Sequence, residues 1–172
     1  MFENPEIALS ELPGADDMLW QALDPEYKRL RIWQNSLSAL AVGVSTAALI
    51  LAYAVALLPA VVLAVCWVVL SLLLLMWPGI SLRRRGYVVR DKDILFRQGV
   101  VSRSVTAIPF NRIQHVETSS TPFDRKFDLA TLQLFTAGGS SGDLKIDGLG
   151  RLTAEQLRVF ILEKAGAGVE RS

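Results

Sequence analysis

The chain has 172 residues, 51% of them apolar and 20% charged, with a net charge of +1. A mean hydropathy of +0.35 excludes a disordered chain and is high for a small soluble domain. A single cysteine, Cys66, and a single histidine, His115, exclude a disulfide framework, a multi-cysteine metal cage and any site needing two imidazoles.

Residues 1–31 carry seven acidic and three basic side chains, a net −4. They read as an acidic cytoplasmic tail, flexible or loosely docked. From Pro25 a short helix is expected to run into the apolar segment that follows.

Residues 32–82 contain no Asp, Glu, Lys or Arg, an uninterrupted run of 51. As one helix this run would reach roughly 77 Å at ~1.5 Å per residue, against a hydrocarbon core of ~30 Å. It must fold back. Leu57-Leu58-Pro59 is the expected turn, which leaves antiparallel spans at about 34–54 and 60–80. Trp33 and Trp77 mark one membrane face and Tyr53 the other, while Trp67 lies mid-span as a packing residue. Eleven Leu and Val residues between 61 and 75 favour insertion of the second span by about 3 to 7 kcal/mol. In the first span Ala39, Gly43 and Ala47 recur on one face. Such a stripe packs closely against the second span or docks another membrane protein. Cys66 is expected as a buried apolar filler.

Lys28, Arg29 and Arg31 precede the first span, and Arg83, Arg84 and Arg85 follow the second, while the turn is uncharged. Positive flanks stay inside, which predicts a multi-pass protein of a cytoplasmic membrane with both termini cytoplasmic. A cleavable signal peptide is not expected.

Residues 83–172 carry 15 basic and 10 acidic side chains, a net +5. Strands are predicted at 87–90, 94–98, 104–110, 113–119, 131–136 and 144–146. Asp91-Lys92-Asp93 makes a turn, and Gly99 a bulge or tight twist. Residues 122–129 form a loop or single helical turn, and Gly138–Gly142 a hairpin loop. Thr153 and Gln156 have the spacing of a capping box, so a helix is expected to start there, bury Leu157, Phe160 and Ile161, and stop at Gly166. This divides the chain into a tail (1–31), a hairpin (32–82), a domain (83–166) and a short C-terminal tail (167–172).

The order Gly86-Tyr87-Val88-Val89, then Ile108-Pro109-Phe110-Asn111-Arg112-Ile113-Gln114-His115-Val116, then Phe135-Thr136-Ala137-Gly138 resembles the bacterial pleckstrin-homology-like (bPH2) membrane family. The resemblance covers about residues 25–165. It implies a two-helix transmembrane hairpin followed by an α+β PH-like domain, a seven-stranded bent barrel or partial barrel with a C-terminal capping helix. It implies no catalysis and no cofactor. The family tends to have glycine where this chain has Asp128, a residue that tolerates left-handed backbone.

Few residues suggest chemistry. His115 and Glu117 are placed on one strand face together with Ile113, as a structural histidine or an acid–base pair. Asp91 and Asp93 read as a hairpin turn before a carboxylate dyad. Gly138–Gly142 lacks the ending and context of a phosphate loop. Arg112 either locks the Pro-x-x-Arg turn by bonding backbone carbonyls or presents a cation, with Gln114 beside it on the surface. Arg83, Arg84 and Arg85 are candidate lipid contacts, together worth roughly 3 kcal/mol near anionic headgroups. The expected partners are membrane lipids and another membrane protein or a second copy of the chain, with no nucleic acid. A non-enzymatic interaction module is the leading expectation, with anionic-headgroup binding at the inner leaflet as the alternative.

Overall fold

The computed structural model describes residues 18–53, 56–137 and 144–169. Helix α1, Pro25–Ala52, starts where Pro25 needs no N–H partner and the Asp24 carboxylate accepts from the Glu26 amide at 2.9 Å. The charge boundary at residues 31/32 therefore falls inside one continuous helix. Helix α2, Leu57–Arg83, holds Pro59 in its first turn. Both helices are long and apolar enough to cross a membrane. Their side chains point outward, and the most apolar stretch of α2 has no residue buried by the rest of the protein. The hydroxyls of Ser36, Ser38, Ser45 and Thr46 donate to carbonyls four residues back, so α1 satisfies them internally.

Two polar contacts pin the hairpin. Trp67 Nε1–H donates to the Ala39 carbonyl at 3.0 Å. The Asn35 side-chain amide donates to the Leu74 carbonyl at 2.6 Å. The second contact has a local cause: Pro78 lies four residues after Leu74 and lacks the N–H that an α-helix would send to that carbonyl. Asn35 supplies the missing donor from across the hairpin. We expect Asn35→Ala to cost about 1 kcal/mol in the wild type and almost nothing beside Pro78→Ala, where the helix bond is restored. A double-mutant cycle on unfolding in detergent measures this, and equal costs in the two backgrounds would refute the pairing.

Beyond α2 the chain forms two three-stranded antiparallel sheets. The first is β1 (Gly86–Val89), β2 (Asp93–Gln98) and β3 (Ser104–Pro109) in that order. The second is β4 (Ile113–Ser119), β5 (Leu129–Thr136) and β6 (Leu144–Gly150). A single turn of 3-10 helix, Phe110–Arg112, joins them. The six strands expected from alternation are present, but they make two sheets with no closed barrel among the described residues, not the seven-stranded barrel of the resemblance. A five-residue helix α3, Pro122–Lys126, carries a capping box between Thr121 and Asp124. Asp128 follows it at φ 52°, the left-handed turn expected there. The core is formed by Ile94, Phe96, Ile108, Leu132, Leu134 and Ile146 from the sheets.

Helix α4, Arg151–Val169, packs Ala154 and Ile161 onto this core, and Phe160 meets Phe110 edge to face at 5.9 Å. It differs from expectation at both ends. It begins at Arg151, directly after β6, so Thr153 lies inside the helix and is not its cap. The start is held by tertiary contacts: the Arg151 amide donates to the Asp128 carbonyl at 2.9 Å, and its Nε to the Asp128 carboxylate at 2.8 Å. Gly166 does not stop it, because a glycine penalty of about 1 kcal/mol is small beside a helix already formed.

The Lys164 ammonium of α4 pairs with Asp91 in the β1–β2 turn and holds that carboxyl below its ordinary value of 3.8. A lowered folded pKa makes this contribution complete above the ordinary value and lost as pH falls through the folded one. Lys164→Met should therefore lose this small surface contribution at neutral pH and almost nothing at the acid end, so its stability should fall less steeply with acidification than the wild type's, which thermal melts between about pH 2 and 7 would show.

Residues 18–31 depart from the loose tail expected over 1–31, of which residues 1–17 lie outside the described residues. Gln21 exchanges two backbone hydrogen bonds with Tyr87, at 2.9 and 3.0 Å, and so covers the β1 edge. Leu23, Tyr27 and Leu30 are buried in the same core as the sheets. Residues 20–31 are thus part of the domain, since apolar side chains interrupt the acidic run and find the sheet.

Candidate functional site at the hairpin–domain junction

The site arises where α2 hands over to the sheet. Arg83 ends the helix, Arg84 caps it, and β1 starts at Gly86. Antiparallel pairing sets Gly86 opposite Arg97, which brings Arg97 beside the helix end. The β2–β3 pairing sets Gln98 opposite Ser104, so Arg103 returns to the same place. Gly99 permits that return at φ +106°, where a Cβ would lie 1.8 Å from the Ser102 carbonyl oxygen.

The result is an open pocket of about 320 Å³ lined by Trp20, Arg83, Arg84, Arg97, Gln98, Gly99, Arg103, Ser104 and Val105. It contains four arginines and no carboxylate. Among the described residues none of the four forms a salt bridge. The Arg97 guanidinium stacks 4.6 Å from the Trp20 ring centroid, and its Nε is buried with no hydrogen-bond partner. Four like charges around one cavity repel each other and favour an anion there.

Of the expected arginine trio, only Arg83 and Arg84 line this pocket. Arg85 turns into a separate cleft of about 250 Å³ between the helices, with Tyr27, Arg31, Asn35 and Trp77. Sequence reasoning missed Trp20, Arg97 and Arg103. The available signal was the spacing of Arg97 and Arg103 about Gly99, which returns both to the same end of a hairpin.

The hairpin and the domain meet at other points. The Trp33 ring lies 5.5 Å from Phe123, with the Lys126 ammonium 5.3 Å away. Tyr27 covers Gly148, and Leu82 packs against the core. A family profile described as Bacterial PH domain matches residues 27–165, both long helices included. The chain belongs to the bacterial PH domain family. No curated protein and no solved structure matches the chain.

In this bacterial PH domain protein the remaining sequence candidates separate. Main-chain bonds close the turn at residues 109–113: the Phe110 amide donates to the Lys92 carbonyl at 3.0 Å and the Ala137 amide to the Arg112 carbonyl at 3.1 Å. The Arg112 side chain is exposed and makes no bond to a backbone carbonyl among the described residues, which leaves it and Gln114 on the surface. Ile113 is buried while Gln114 and His115 are both exposed, because the β4–β5 register shifts between Ile113 and His115. His115 therefore does not share a face with Ile113. It lies 5.6 Å from the Phe135 ring, and no hydrogen bond joins it to Glu117. Asp93 pairs with Arg90 and Asp91 with Lys164, so the two carboxylates serve the turn and α4.

In the small-residue stripe, Ala39 is buried, Gly43 faces the Trp67 ring, and Ala47 is exposed beside an apolar groove shared with Trp67. Cys66 is exposed on the hairpin surface, contrary to the expected buried filler, because α2 meets α1 along one side only. No group of metal-binding side chains occurs among the described residues. Gly138–Gly142 lies outside the described residues.

Proposed function

We propose that this bacterial PH domain protein is a non-enzymatic module anchored in the cytoplasmic membrane by its helical hairpin, and that it engages the anionic headgroup layer of the inner leaflet. The observation that carries this reading is the four-arginine pocket at the domain-proximal end of α2. A span ending at Arg83 puts these guanidiniums at headgroup depth, where each charge gains about 1 kcal/mol against anionic lipid. The outward apolar surfaces of α1 and α2 support the anchor. Arginines at both domain-side helix ends and an uncharged turn support cytoplasmic termini.

Headgroup engagement is preferred here to assembly with another membrane protein or a second copy. The stripe read as an assembly face meets the chain's own Trp67 at Ala39 and Gly43. The test uses the full chain, since a fragment lacking Leu23, Tyr27 and Leu30 would lack part of the core. After extraction in mild detergent, co-purifying lipid should be enriched in anionic classes over the membrane average. Lipid in bulk proportions, or a stoichiometric protein partner covering the arginines, would sink the reading.

A further inference from the structure

We propose that the pocket of Trp20, Arg83, Arg84, Arg97 and Arg103 is a discrete site for one phosphate group of an anionic phospholipid, with Leu19 and Val101 entering the lipid beside it. This rests on the headgroup reading and narrows it from diffuse attraction by a basic surface to a site of fixed stoichiometry.

Three observations carry it. First, Arg97 is built in and not merely on the surface. Strand pairing sets its backbone, Trp20 holds its guanidinium plane, and its buried Nε–H has no acceptor. Buried donors of that kind are rare in folded proteins, and an oxyanion is the acceptor that suits a guanidinium flanked by three more. Second, the pocket's volume of about 320 Å³ is at the small end for ligand sites and suits a headgroup more than an extended molecule. Planar guanidiniums bind phosphate oxygens in pairs, which a lysine cannot copy.

Third, the rim is apolar in a way that points to lipid as the source of the phosphate. Leu19 is 93% exposed and Val101 is 92% exposed, the two most exposed large apolar side chains outside the helices among the described residues. Leu19 precedes Trp20, and Val101 sits in the Gly99–Arg103 connection whose two ends line the pocket. Water gains nothing from these side chains, whereas an adjoining acyl layer would bury them. A soluble phosphate would need the arginines but neither of these residues.

The experiment is native mass spectrometry of the full chain in detergent micelles, titrated with dioleoylphosphatidylglycerol and, separately, with dioleoylphosphatidylcholine. The wild type should retain one phosphatidylglycerol per chain, at least tenfold tighter than phosphatidylcholine. Arg97→Gln and Arg103→Gln should each weaken it about tenfold. Arg103 lies on an exposed connection, so its variant carries the test if Arg97→Gln fails to fold. Val101→Ser, which removes the apolar contact without adding charge, should weaken the lipid while leaving displacement by inorganic phosphate unchanged. If Arg97→Gln and Arg103→Gln bind as the wild type does while Arg83→Gln/Arg84→Gln loses lipid, the pocket is overturned and surface attraction stands. Lipid binding that ignores Val101→Ser overturns the apolar rim and with it the argument for lipid over free phosphate. Equal binding of both lipids by every variant overturns the site and the headgroup reading together.

Discussion

Gly148→Ala is expected to destabilise the protein by roughly 2 to 5 kcal/mol. Gly148 sits in β6 at φ +78°, where a side chain strains the backbone. A Cβ there would also lie 2.2 Å from Tyr27 Cδ1 and 2.3 Å from Cγ. Tyr27 belongs to the first turn of α1, and the Gly148 carbonyl accepts from the Asp24 amide at 3.0 Å. The substitution therefore strikes the joint between hairpin and domain. Denaturant unfolding in detergent gives the loss. Tyr27→Ala should relieve the clash but not the backbone strain, so the double variant should lose less than the sum of the two. A loss below about 1 kcal/mol for Gly148→Ala would show that the Tyr27 ring does not rest on this strand.

Gly43→Leu should open the hairpin at a cost of about 2 to 3 kcal/mol. A Cβ at residue 43 would approach the Trp67 ring to 2.7 Å at Cζ2 and 2.8 Å at Cε2. The absence of that atom lets the indole slide over α1 and donate to the Ala39 carbonyl one turn away. A leucine would expel the indole and break that bond. Cysteine cross-linking between α1 and α2 reports the opening as a lower yield. Trp67→Ala should partly restore the yield beside Gly43→Leu, because it removes the obstacle. Unchanged cross-linking in Gly43→Leu would mean that the helices are not held at this point.

Much of this architecture was readable from residues 32–82 and from the alternation beyond them. A charge-free run longer than one span has few solutions, and strands with one buried face announce their period. Asp128 was also legible, because a residue with a short polar side chain stood where left-handed backbone was needed. The misses share a cause. Thr153 and Gly166 carry local signals for helix ends, but contacts from Asp128 start α4 earlier and an established helix carries on through the glycine. The bulge at Gln114 interrupts a pattern that simple alternation continues, which put Ile113 on the wrong face with His115. The acidic residues before Pro25 hid Leu23 and Tyr27, whose burial depends on a sheet more than 50 residues away.

The candidate site was half legible. Arg83 and Arg84 were visible as a basic flank of the second long apolar segment, whereas Arg85, adjacent in sequence, turns into another cleft. The three partners that make a pocket out of a flank come from residue 20 and from both ends of the β2–β3 connection.

By itself the sequence determined the hairpin, the strand count and the sign of charge at the junction, because these follow from local hydropathy, period and composition. Only the tertiary structure decided which arginines converge, which glycines are obligatory and where the domain begins. Those depend on which segments cross each other, and contact across long loops leaves no periodic trace in the chain.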